Sequence, residues 1–283
     1  MASDRKKLRP DEVLDLWVSR LIVWALILVI LFPILAIITA SLQKGAAFNT
    51  GALLPSPELF TLDNYRDLLT KTKFTTWIFN TFWMGTAIGV VQIALTITAS
   101  YAFARLKFWG KKNGIRTLMI LQMMPSFVSL AAIQFVAYKL HMANLFGYFI
   151  FTAGAGAWSI WLMKGYIDGI PRDLDEAAKV DGCTDWEVFI KIILPLSYPM
   201  MAVLFLFSFI GTFSEFIMAS ALLKQQNQYI LLQGLRTFTA NAFSTNWGRL
   251  SAAVVLASVP LAILWAFGQR YVTSGLTRGA VKG

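Results

Sequence analysis

One cysteine, Cys183, and one histidine, His141, are all that 283 residues supply of the two side chains most used to hold transition metals. An internal disulfide and a cysteine metal cluster are both excluded. No His, Asp or Glu cluster with ligand spacing stands in for them. His141 sits beside Met142 at the end of an apolar run, where an interfacial structural role outweighs a catalytic one. The G-x-x-x-x-G-K-[ST] phosphate loop is also missing. Gly110-Lys111-Lys112 comes nearest and lacks the pattern. Nor is there a nucleophile–base motif, a tandem repeat or a low-complexity tract. The chain therefore carries no machinery of its own for hydrolysing a nucleotide, and no cofactor is expected on it.

Charge is scarce too. Only 14% of residues are charged and 57% are hydrophobic, against about a quarter charged in a soluble domain. The apolar excess must face something other than a compact core. Six long windows are nearly free of charge: 21–43, 74–104, 117–138, 140–163, 192–214 (continuing past Glu215 to Leu223) and 250–269. Each reaches the roughly 20 residues that a helix needs to cross a bilayer. The first is too long for a signal-peptide core of about 7–15 residues, so it counts as an uncleaved span. The expected fold is an all-α polytopic membrane protein of six transmembrane helices embedded in the lipid bilayer.

Seventeen of the 25 Lys and Arg residues fall in one alternate set of connections and eight in the other. Basic residues favour the cytoplasmic side, which places both the N- and C-termini there. The formal charge of +10 follows from that bias, and no nucleic-acid partner is needed to explain it. The expected organisation is a cytoplasmic tail over 1–20, a transmembrane domain over 21–272 and a second tail over 273–283. The second span carries Thr81, Gly85, Gly89, Thr96, Ser100 and Ala104 on one small-residue face, a pattern that lets helices approach closely in lipid. Pro125, Pro199 and Pro260 lie in or near spans, where proline bends a helix. The first outer connection holds Pro55, Pro57 and an amphipathic TLDNYRDLL stretch suited to lying on the membrane face.

The segment EAAKVDGCTDWEVFIKIILP, 176–195, breaks this pattern. Seven of the fifteen carboxylates lie between Asp168 and Glu187, on the side where basic residues dominate. Asp173 with Glu176 and Thr184 with Glu187 each have capping-box spacing, and Gly182 suits the left-handed residue that closes a helix. The reading is helix, tight turn, helix, with Leu194-Pro195 stopping the second helix at the membrane. The apolar stripe Trp186, Val188, Phe189, Ile192, Ile193 suits a docking element for a cytoplasmic protein; an ordinary solvated loop is the other reading.

Glu176, Ala177, Ala178, Gly182, Ile192, Leu194 and Pro195 fill every position of the EAA loop of ATP-binding cassette importer permeases, which this segment (169–197 with its flanks) resembles. Asn80-Thr81, NYRDLL, AYAFARLKFWGKK and the ending GLTRGAVKG resemble the MalG-type permease subunits of carbohydrate importers. The resemblance implies a type I importer permease fold in a bacterial inner membrane, with the hairpin as a coupling helix that enters a cleft on an ATPase. It implies as partners a homologous, MalF-like permease, an ATP-binding cassette dimer that carries the ATP and Mg, and an extracytoplasmic sugar-binding protein. It implies an ATPase contact for Gly279, Ala280, Val281, Lys282 and Gly283. It also implies that the last outer connection probes the binding protein near Asn241; a purely structural loop is the alternative there. Maltose or maltodextrin is the leading cargo, with trehalose or another oligosaccharide behind it.

Glu215 is the one acid inside a hydrophobic run. Intramembrane carboxylates are costly and usually paired or functional. Packing against the sister permease is one reading. A proton-coupled carrier that uses Glu215 is the other, although no second ionisable partner lies in the spans.

Overall fold

The computed structural model describes residues 10–45, 57–123, 126–239 and 245–280. These are helical throughout, apart from turns and one isolated bridge between Gln43 and Phe60. The chain divides into two units, 1–71 with 238–256, and 72–237 with 257–283.

The first unit contains α1 (Pro10–Ser41), α2 (Asp63–Lys71) and the beginning of α13 (Trp247–Ala280). α1 runs through the boundary expected at residue 20. Its side chains from Leu14 to Leu35 are exposed along nearly the whole length, an exposure that a bilayer can cover and water cannot. The amphipathic stretch is α2, and it is pinned as well as laid down. Asn64 Nδ2 donates to the carbonyls of Ser41 (3.1 Å) and Gln43 (2.9 Å), which satisfies the end of α1. Asp67 pairs with Lys71 at 2.8 Å and Arg249 at 3.2 Å. The hydrogen bond from Lys71, with help from Arg249, holds its carboxyl below the usual carboxylate range.

The second unit is built around α3 (Phe74–Arg105) and α10 (Leu194–Ser214). The small-residue face of α3 is buried, as its spacing implies. A Cβ on Gly85 would lie 3.2 Å from the Phe209 ring and one on Gly89 2.9 Å from that of Phe205, so the two backbones approach closely because glycine stands there. At one end of α3, Trp77 Nε1 donates to Gln226 O (2.8 Å) and Asn80 Nδ2 to Asn227 O and Tyr229 O (both 3.0 Å). Thr81 Oγ1 accepts from Leu231 N at 2.6 Å, at the start of α12 (Leu231–Arg236).

Among the described residues, four helical stretches are long and apolar enough to span: Leu14–Ser41, Phe74–Arg105, Asp185–Ser214 and Trp247–Tyr271. The window 140–163 is not one straight helix. It is α6 (Leu145–Thr152) and α7 (Ala157–Asp168), bent by 48°. The window 117–138 is likewise divided between α4 (Lys111–Gln122) and α5 (Ser126–Lys139). Pro125, in the sequence between them, lies outside the described residues. Pro33, Pro199 and Pro260 all sit within continuous helices. His141 closes α5 with φ +55°, where Met142 N donates to Ala137 O at 2.7 Å. This is the boundary role its position suggests.

Gly234 tests the tightness of this packing. Any Cβ there overlaps the Trp77 indole, which is 2% exposed and held by Gln226. Gly234→Ala is expected to destabilise the protein by about 1–3 kcal/mol, read as a lowered thermal midpoint in detergent. Gly165→Ala, where a Cβ meets nothing, serves as the unaffected control.

Candidate functional site

The hairpin exists and its turn has the expected geometry. α8 (Asp173–Val180) ends in a Schellman closure. Cys183 N donates to Ala178 O (2.9 Å) and Gly182 N to Lys179 O (3.1 Å), with Gly182 at φ +88°. α9 (Asp185–Val188) opens with a complete capping box. Glu187 N donates to Thr184 Oγ1 (3.3 Å) and Thr184 N to Glu187 Oε2 (3.0 Å). Lys179 and Asp185 clasp the turn at 2.6 Å, and that bond holds the lysine above its ordinary pKa.

Three expectations are corrected. The Asp173–Glu176 box does not form, because Arg172 already has helical backbone angles and takes the N-cap position without a side-chain bond. Leu194-Pro195 does not stop the second helix. A π turn, Phe189–Ile193, passes the chain directly into α10, with Leu194 N reaching back to Phe189 O. Pro195 then falls in the first turn of α10, where an absent N–H costs little. The apolar stripe does not all face outward either. Val188, Phe189 and Ile193 are buried with Ile97, Tyr101, Ile167 and Val203 in one core, leaving Leu174, Val180 and Trp186 on the surface.

That shared core roots the hairpin in the transmembrane helices. Arg105, the last residue of α3, pairs with Asp175 on α8 at 2.5 Å; both side chains are about nine-tenths buried. Arg105 Nη2 also donates to Ile170 O at 2.7 Å, just after α7. Tyr101 Oη donates to Asp185 O at 2.8 Å, tying α9 to the same helix. The hairpin is therefore fixed to both α3 and α10.

Of the EAA-loop residues, Glu176 and Ala177 are exposed and Ala178 is buried. Gly182 forms the tip. Ile192 and Leu194 pack half-buried against the core, and Pro195 is exposed. Gly279 and Ala280 are the last residues of α13. Val281, Lys282, Gly283 and Asn241 lie outside the described residues. Glu215 is far from the hairpin in sequence and has a local role. It follows α10, and its carboxylate accepts from Met218 N (2.7 Å) and Ala219 N (2.9 Å), capping α11 (Ile217–Leu222). No cluster of three or more metal-ligating side chains occurs among the described residues.

Sequence reasoning missed Arg105 and Asp175, since nothing local to either signals a partner 70 residues away. It also missed Gln92 and Gln122, which sit inside apolar windows. Gln92 Nε2 donates to Thr152 O (2.9 Å) where α6 ends, and Gln122 Oε1 accepts from Trp158 N (2.7 Å) where α7 begins. The two amides close the bent pair from both sides, and a polar side chain amid greasy neighbours was the available signal.

Removing one member of the buried ion pair should expose its cost. Arg105→Met strands the Asp175 charge and is expected to lose about 3–5 kcal/mol. Adding Asp175→Leu should recover most of it. Thermal unfolding of the purified variants checks both.

Residues 96–278 match the family described as "Binding-protein-dependent transport system inner membrane component". The chain is 36% identical over 287 residues to the maltose/maltodextrin transport system permease protein MalG of Vibrio vulnificus (strain YJ016), covering 94% of this chain and 96% of that one. It is 35% identical over 259 residues to the maltodextrin transport system permease protein MalD of Streptococcus pneumoniae (strain ATCC BAA-255 / R6), at 90% and 91% coverage. It is 34% identical over 292 residues to MalG of Escherichia coli (strain K12), at 95% and 96%. In structure it resembles a chain of a bacterial ABC transporter for import of the acidic polysaccharide alginate, with a TM-score of 0.80, 23% identity, and coverage of 94% of this chain and 99% of that one.

Proposed function

The chain belongs to the binding-protein-dependent transport system inner membrane components, and from that membership we propose that it is a sugar-importer permease whose 176–195 hairpin receives the stroke of a separate ATPase. The observation that carries this reading is the hairpin's construction. Its outer side presents Glu176, Ala177, Val180 and Trp186, while its inner side is continuous with the core of α3, α7 and α10. A surface built that way passes an applied displacement into the spans.

In this reading the chain crosses the membrane six times: through α1, α3, α4 with α5, α6 with α7, the α9–α10 stretch, and α13. Both termini are cytoplasmic. It pairs with a homologous permease, and two ATPase copies hydrolyse ATP on its behalf, so the subunit itself is not catalytic. An external binding protein delivers the cargo, with Asn241 in the loop that meets it and Gly279–Gly283 as a second ATPase contact. The maltose and maltodextrin relatives support that cargo class, with trehalose or another oligosaccharide as the alternative. The proton-coupled reading is disfavoured by Glu215, whose two oxygens are already engaged by backbone N–H groups.

Co-purification from membranes tests the coupling role, comparing wild type with Glu176→Lys and Gly182→Val. A side chain at Gly182 meets no atoms. The valine therefore acts only through a left-handed backbone that disfavours it by roughly 1–2 kcal/mol. Both variants should insert normally and lose the ATPase subunit. Retention of the ATPase with unimpaired uptake would remove the hairpin from the coupling path.

A further inference from the structure

A cavity of about 210 Å³ lies where the middle of α3 meets the ends of α6 and α10. Six of its lining residues carry polar groups: Gln92, Tyr148, Thr152, Ser208, Thr212 and Glu215. Gln92 is eighteen residues into α3, about 27 Å along a helix of about 48 Å. The cavity is thus near mid-depth, where unsolvated polar groups are expensive and mark sites of function. Two helix interruptions border it, and irregular backbone at that depth is tolerated where it lines a cavity.

Most of these groups are already engaged. The Glu215 oxygens accept from Met218 N and Ala219 N. Thr152 Oγ1 donates to Tyr148 O (2.6 Å), Thr212 Oγ1 to Ser208 O (3.2 Å) and Gln92 Nε2 to Thr152 O. What remains is the Gln92 amide oxygen and the Ser208 hydroxyl, which is buried with no partner among the described residues. Among the described residues the lining has no lysine, arginine or histidine to hold an anion, and both oxygens of its carboxylate are already taken by backbone N–H groups. A neutral donor beside a neutral acceptor matches hydroxyl groups, each of which is both. The volume equals about seven water molecules and falls below the roughly 300 Å³ of pockets that enclose a whole ligand. It takes the edge of one ring, not an oligosaccharide.

We infer that this cavity is a subsite for the hydroxyl-bearing edge of a sugar ring, with Ser208 and Gln92 as its contacts. This subunit then reads the cargo directly during translocation. The inference rests on the sugar-import reading above.

Gly211 gives a way to test it. It lines the cavity, and a Cβ there meets nothing within 4 Å, so Gly211→Leu fills the space without backbone cost. In membrane vesicles carrying the whole importer, ATP-dependent uptake of radiolabelled maltotriose should be abolished by Gly211→Leu. Ser208→Ala should slow it by roughly two- to tenfold, the value of one hydrogen bond. Gly165→Leu, equally open but outside the cavity, should transport normally, and binding-protein-stimulated ATP hydrolysis should persist in all three. In a Cys183→Ser background, which leaves no native thiol in this chain, Gly211→Cys should react with a small maleimide, read on this subunit, and be protected by maltotriose during turnover. Normal uptake by Gly211→Leu, or labelling that maltotriose does not slow, overturns the subsite and leaves the importer reading intact. A wild type that moves no member of a broad panel of mono- and oligosaccharides overturns the sugar reading, and the subsite with it.

Discussion

A backbone that cannot reach water must pair its N–H and C=O groups inside the protein, and the architecture of this chain follows from where that pairing fails within a helix. Several interruptions are closed by a side chain. Gln92 and Gln122 finish the two halves of the bent α6–α7 pair, and Asn64 finishes α1. Glu215 starts α11 from the residue that ends α10. Asn80 and Thr81 hold the connection that leads into α12. Gln92, Gln122, Asn80, Thr81 and Glu215 are therefore fastenings at places where the helices break or end.

The hairpin obeys the same constraint at the membrane border. Arg105 at once neutralises Asp175 and satisfies the carbonyl of Ile170. One side chain thereby joins α3, the end of α7 and α8. The π turn that follows runs directly into α10, whose first turn accommodates Pro195, so the hairpin's second limb and the span beyond it form one piece. A softer joint at either place would let the hairpin tilt without moving the helices. The buried pair and the uninterrupted entry into α10 together fasten it to both helices.

Much of this was legible from residue order alone. The long apolar windows gave the membrane class, and the spacing of Thr81, Gly85, Gly89, Thr96, Ser100 and Ala104 gave the contact face of α3. Gly182 and the Thr184–Glu187 pair gave the turn, because caps are local chemistry that a few consecutive residues decide. The bend at Thr152–Ala157 was not legible, since Gly154 and Gly156 only permit it and Gln92 and Gln122, both in earlier helices, stabilise it. The inward turn of Val188 and Phe189 was hidden for a similar reason. Helical spacing shows that residues share a side but does not show which way that side faces. Glu215 stood out by composition, yet its backbone partners became visible only once α10 was seen to end at Ser214.

The closed turn at the hairpin tip has one more consequence. The N–H groups of Asp181, Gly182, Cys183 and Thr184 are all donated within the hairpin. Proteases bind their substrates as extended strands, through main-chain hydrogen bonds of the kind used when a peptide adds to a sheet edge. This tip, although exposed, has no main-chain donors left for such an encounter. A partner must meet it through side chains, carbonyl oxygens and shape, and a turn closed on itself in this way resists the extended form in which a protease takes its substrate.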